Sequence, residues 1–199
     1  VKLGPTDIAF RCNLVTLAEK DGETIMGDYS SGHITTEDAR EIVLSLDEAL
    51  KSEGVRFYPG TSYRHLMVWK DGAKAVKTTP PHDISDKAIA SWLPKGDRAE
   101  KLQRLMELSW AVMKDHPTNK KRIAAGKKPA TSIWLWGQGS APAMPTMRTR
   151  FGKEGAIISA VDLMKGIGIY AGLEVINVPG ATGYIDTNYA GKAEAALRA

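Results

Sequence analysis

Four arginines sit in loops or at strand ends, at Arg11, Arg64, Arg148 and Arg150. A guanidinium fork pairs bidentately with carboxylate or phosphate, so several converging on one point suit a small phosphorylated acid. Ion pairing on the surface is the alternative for each of them. Arg11 is the least ordinary, because it interrupts an apolar run, with Ile8, Ala9 and Phe10 before it and Leu14 and Val15 after.

The histidines carry no metal signature. His33, His65, His82 and His116 have no close partner at zinc spacing, and neither HxxxH nor HxH occurs. His65 follows Arg64, and His82 precedes Asp83 just after two prolines. An Asp beside a His in a rigid loop could orient the imidazole or a ligand group, or the pair could be structural. Gly137-Gln138-Gly139 and Gly180-x-x-Gly183 each follow an apolar run and could line a site or simply make tight turns. Neither is a dinucleotide fingerprint or a Walker A loop, and no G-x-S-x-G nucleophile occurs. Asp7, Asp28 and Asp186 fit capping or turn roles as well as they fit a metal.

These side chains have to be held by an α+β first part. Residues 7–17 read as a strand, turning at Lys20-Asp21-Gly22 and returning through 24–27. Thr35 or Thr36 caps a helix running to about Ser52, with Ile42, Val43, Leu46 and Leu50 at helical spacing and Gly54 as its stop. Strands follow at 55–58 and 63–69, then a second hairpin at Lys70-Asp71-Gly72 returning through 75–79. Asp97 and Glu100 have capping-box spacing and open a helix whose buried face is Leu102, Leu105, Met106, Ser109 and Met113. A short helix is expected over 119–125. From Thr131 the pattern becomes strand–helix–strand: a wholly apolar strand at 132–136, a helix over 160–170 and a strand at 173–178. Apolar strands joined by a crossover helix predict a parallel sheet buried on both faces.

The composition is that of a soluble globular protein, with no apolar run long enough to span a membrane, so no membrane partner is expected. Cys12 is the lone cysteine, which excludes an internal disulfide and fits a reducing compartment, so the cytoplasm is expected. The densest basic stretch, 114–128, lacks the aromatic platforms and length of a nucleic-acid surface and reads as a solvated face. The chain opens at Val1 without a Met, and its last helix runs to Ala199 without a stop signal. With a parallel sheet that cannot cover itself, this predicts an interior piece of a larger α/β enzyme.

Seven segments together resemble one family: DIAFRCN (7–13), YRH (63–65), TPPHDI (79–84), HPTN (116–119), IWLWGQG (133–139), ISAVDL (158–163) and VPGATGYIDTNY (178–189). The chain resembles the archaeal-type cofactor-independent phosphoglycerate mutases of the alkaline-phosphatase superfamily. The resemblance implies an α+β cap over residues 1–128 and, over 129–199, part of an alkaline-phosphatase-like core with a mostly parallel sheet. It implies interconversion of 3-phosphoglycerate and 2-phosphoglycerate through a phosphoserine with two divalent ions, manganese, magnesium or zinc. The nucleophile and metal ligands would lie outside this stretch, so the fragment alone is expected to bind no metal and to be inactive. Its substrate contacts would be Arg11, Arg64, His65, His82, Asp83, Arg148 and Arg150. A related metal-dependent phosphotransferase or phosphohydrolase, homoserine kinase-like for instance, or a stand-alone binding module, are the competing readings.

Overall fold

A computed structural model describes residues 1–199, which divide into two compact units, Val1–Ala141 and Pro142–Ala199. It is a mixed α/β structure, with an antiparallel sheet in the first unit and a parallel pair in the second.

The first unit is built on β1 (Ile8–Lys20), whose alternating apolar residues Phe10, Cys12 and Leu14 are fully buried. β1 turns at Asp21 and Gly22, both at positive φ, into β2 (Glu23–Asp28). Two left-handed residues in succession match the twist of a tight hairpin, and Asp-Gly supplies them cheaply. α1 (Thr36–Leu50) follows, its N-cap Thr35 accepting from the Asp38 N–H and its predicted apolar stripe fully buried or nearly so. Gly54, at φ 72°, redirects the chain into β3 (Val55–Tyr58), and β4 (Arg64–Trp69) pairs with both β3 and β1.

α2 (Ala99–Lys114) buries the expected face, Leu102, Leu105, Met106, Ser109 and Met113. α3 (Pro117–Ala124) starts on His116, whose Nδ1 accepts from the Thr118 N–H. β5 (Ser132–Gly139) then lies antiparallel to β1 on the edge opposite β4. α1 packs on β3, α2 packs on β5, and the two helices touch each other. The core is therefore the layer between one sheet face and these two helices.

Three expectations fail here. Residues 75–79 form no returning strand; their one ladder contact is an isolated bridge from Lys77 to Lys95. Asp97 does not cap α2, because Arg98 takes the N-cap position in a left-handed conformation without a side-chain cap bond. The strand at 132–136 is not part of a parallel sheet. It completes the antiparallel sheet of the first unit, covered on one face by α2 and on the other by the loop through Thr79, whose carbonyl accepts from Trp134 Nε1, which is why it reads as apolar.

In the second unit β6 (Ala156–Ile158) and β7 (Glu174–Ile176) pair in parallel, joined by α5 (Asp162–Tyr170) as the strand–helix–strand pattern predicts. Gly168 lets α5 lie on β6, since a Cβ there would sit 2.4 Å from Ile157 Cγ2. Leu163, Met164, Ile167 and Ile169 of α5 remain exposed in this chain. α4 (Met147–Phe151) and α6 (Tyr189–Arg198) complete the unit. No helix of either unit is long and apolar enough to cross a membrane.

Candidate anion-binding site

The side of the first sheet away from the helices carries the site. Arg11 stands opposite Leu66 of β4 and Trp136 of β5, and Asn13 stands opposite Arg64 and Trp134. Directly paired residues project from the same sheet face, so strand pairing alone puts both arginines beside two tryptophans and an asparagine.

Each guanidinium lies on an aromatic ring. Arg11 Cζ is 4.1 Å from the centroid of Trp136, and Arg64 Cζ is 4.2 Å from that of Tyr63. The rings continue from one arginine to the other. His82 meets Trp136 edge-on at 5.5 Å and Tyr29 at 6.2 Å, and Tyr29 meets Tyr63 at 5.8 Å. His33 adds a further edge contact to Tyr63 at 6.0 Å. Neither Arg11 nor Arg64 forms an ion pair with a carboxylate. Burial, and then the charge of Arg64, lower the pKa of Arg11. Two like charges held together without a carboxylate partner, stacked so that their N–H edges stay available, have the chemistry to receive an anion.

The loops bringing Tyr29 and His33 are fixed from behind. Arg122, 3 % exposed, donates to the Ser31 carbonyl at 2.7 Å, to the Lys128 carbonyl at 2.9 and 3.1 Å, and to Asp38 Oδ2 at 2.8 Å. The basic stretch is thus not solvated throughout: Arg122 points inward and ties residues 28–34 to α1. Asp28 holds the same loop by accepting from the Ser30 N–H and hydroxyl and from Lys128. Burial raises its pKa, but those donors outweigh burial and pull it down to about 2.

Of the residues singled out in the sequence, Arg11, Arg64 and His82 come together around these rings. Asp83 is exposed, 3.6 Å from His82 Nε2. His65 does not join them. It pairs with Cys12 on the opposite face of the sheet, buried, with Nδ1 accepting from the Gly60 N–H at 3.0 Å and Nε2 unpartnered. Adjacent strand residues point to opposite faces, so a side chain next to Arg64 in sequence is carried into the core. Arg148 and Arg150 lie on α4 in the second unit, Arg148 paired with Glu154 at 2.9 Å and Arg150 over Phe151 at 5.3 Å. Trp136, Asn13, Tyr29 and Tyr63 were not anticipated. The i, i+2 spacing of Arg11 and Asn13 in an apolar strand was the available signal for Asn13. No three His, Cys, Asp or Glu side chains come together to hold a metal ion.

Burial pushes the pKa of His65 down to about 4, below the ordinary value of 6.5. The folded chain therefore binds fewer protons than the unfolded chain between these values, so stability is full above about pH 6.5 and declines as pH falls toward about 4. Between about pH 7 and about pH 5 this one group should remove about 2 kcal/mol. Denaturant titrations at the two pH values measure it, and His65→Gln should flatten the difference; an equal decline in the variant would assign it to other groups.

Comparison with known proteins gives a consistent answer. A family model described as 2,3-bisphosphoglycerate-independent phosphoglycerate mutase matches residues 1–119. A probable 2,3-bisphosphoglycerate-independent phosphoglycerate mutase of Geobacter sulfurreducens is 53% identical over 199 residues, covering 100% of this chain and 50% of the relative. The 2,3-bisphosphoglycerate-independent phosphoglycerate mutase of Methanosarcina acetivorans is 54% identical over 200 residues, covering 100% of this chain and 49% of its own length. The cofactor-independent phosphoglycerate mutase of Thermoplasma acidophilum shares the fold, with a TM-score of 0.59 at 23% identity over 100% of this chain and 52% of that one. The chain spans about half the length of the curated relatives it matches.

Proposed function

Since the chain belongs to the 2,3-bisphosphoglycerate-independent phosphoglycerate mutase family, we propose that it supplies the substrate-gripping part of an enzyme interconverting 3-phosphoglycerate and 2-phosphoglycerate through a phosphoserine. One observation carries this reading: Arg11 and Arg64 share a sheet face, each on an aromatic ring, with no carboxylate to neutralise them. A phosphorylated carboxylic acid has two anionic groups for two such forks. In this reading His82, at the edge of the same rings, and Asp83 beside it hydrogen-bond glycerate oxygens.

In this reading residues 1–128 act as a cap and the following residues contribute part of a phosphatase-like core, with β5 belonging to the cap-side sheet. The cap's task is to close over glycerate and exclude water, so that a phosphoenzyme returns its phosphoryl group to glycerate instead of to water. On the family pattern, the nucleophilic serine and the divalent ions, manganese, magnesium or zinc, belong to the rest of the protein. The exposed apolar side of α5 is then a surface the rest of the core would cover. Arg148 and Arg150 enter as substrate contacts only through the family resemblance. The enzyme would serve glycolysis and gluconeogenesis in the cytoplasm.

The test is conversion of 3-phosphoglycerate to 2-phosphoglycerate by the full-length protein with Mn²⁺ and no bisphosphoglycerate. Turnover is expected from the full-length protein and none from residues 1–199 alone. Absence of turnover in the full-length protein would remove the reading.

A further inference from the structure

Arg11 is held in place by more than its own strand. Pairing between β1 and β5 shifts register between Ala9 and Arg11: β1 advances from Ala9 to Arg11 while β5 runs from Gly139 to Trp136. The extra residue in β5 makes a bulge, and bulges re-aim the side chains beside them. Gly137, inside it, has φ 59°, and a Cβ there would sit 3.2 Å from Arg11 Cδ. A side chain at 137 would be strained in backbone and would press on the arginine's stem.

Trp136, next to the bulge, is 8 % exposed and lies against the Arg11 guanidinium. Its ring is not free to tip. Nε1–H donates to Asn13 Oδ1 at 3.0 Å, and Asn13 in turn donates through Nδ2 to the Tyr29 carbonyl at 3.1 Å. Asn13 is itself buried, so its amide has little freedom to trade these partners for water. His82 adds a T-shaped ring contact to the indole, with centroids 5.5 Å apart.

We propose that Trp136 is a positioning residue for substrate binding: its indole, locked by Asn13 and admitted by the bulge at Gly137, sets the plane in which Arg11 presents its fork to the anion. The inference rests on the mutase reading for the identity of the anion. Positioning of this kind lowers the reorganisation that binding would otherwise require, so its loss raises KM and leaves kcat largely intact.

In the full-length protein, Trp136→Leu should raise KM for 3-phosphoglycerate about 10-fold with kcat changed less than about 2-fold. Trp136→Phe keeps a ring but loses the bond to Asn13, and should fall between Trp136→Leu and the native protein, together with Asn13→Ala. A variant that is merely less well folded would lose kcat through fewer active molecules and keep its KM. The decisive measurement is a double-mutant cycle: in an Arg11→Ala background, Trp136→Leu should have no further effect on KM. Additive effects, or an unchanged KM in Trp136→Leu, would overturn the proposal. Calorimetric titration of the same proteins with 3-phosphoglycerate separates it from the mutase reading. Native binding that shows this coupling sustains the positioning role even without turnover, and absence of native binding overturns it.

Discussion

Arg122→Ala is expected to cost the first unit about 3 kcal/mol of unfolding free energy, because it removes a buried guanidinium whose hydrogen bonds to carbonyls contribute about 1.5–3 kcal/mol each when one partner is charged. The substitution leaves the carbonyls of Ser31 and Lys128 without their donors and Asp38 without its counterion. Arg122→Lys should recover only part of the loss, because one ammonium cannot reproduce a fork that reaches three acceptors in different directions. Lys120→Ala and Lys121→Ala, on exposed neighbours, should stay within about 0.5 kcal/mol. Denaturant unfolding followed by tryptophan fluorescence measures this cleanly, since Trp69, Trp92, Trp110, Trp134 and Trp136 all lie in the first unit. A loss for Arg122→Ala no larger than that of the lysine variants would mean that its bonds to the 28–34 loop contribute little.

Arg11→Ala in the full-length protein should lower kcat/KM about 100-fold, with KM carrying most of the change. A hydrogen bond to a charged group contributes about 1.5–3 kcal/mol, and a bidentate fork makes two. Arg64→Ala should behave similarly, and Arg11→Lys should rescue little, because a point charge neither stacks flat on Trp136 nor pairs bidentately. The folded state should not suffer in proportion, since removing Arg11 also relieves its repulsion by Arg64. An Arg11→Ala enzyme with native kcat/KM would place the substrate elsewhere. A variant unfolded by circular dichroism would leave Arg64→Ala to decide.

Much of this arrangement was legible from local chemistry. Alternation in β1, the Asp-Gly turn after it, the cap at Thr35 and the buried stripe of α2 are short-range signals, each set by a handful of consecutive residues. Strand order is not local. β5 is apolar because a helix covers one face and the loop through Thr79 the other, and the same string suits a strand of a parallel sheet. Asp97 and Glu100 have the spacing of a capping box, but Arg98 in a left-handed turn moves the helix start past Asp97. The site divides in the same way. Arg11 stood out because it breaks an apolar run, whereas Tyr29 and Tyr63 are ordinary loop residues until folding brings them to Arg64. Arg122 looked solvated because it follows two lysines; its direction depends on carbonyls that fold against it from distant parts of the chain. His65 was drawn in by its neighbour Arg64, and strand parity sends it the other way.

That parity has an evolutionary side. On β1 the odd positions 11 and 13 face the candidate anion site, while the even positions 10, 12 and 14 fill the core. Under the proposed function, adaptation toward a different phosphorylated acid could therefore proceed at alternate positions of a single strand, along with their partners across the sheet, while the hydrophobic half of the same strand stayed unchanged. A lineage could explore new substrates without first acquiring compensating mutations in its interior. The same division imposes a hazard: an insertion or deletion of one residue within β1 would exchange the two sets together, exposing Phe10 and burying Arg11, so drift here is open to substitution and closed to changes of length.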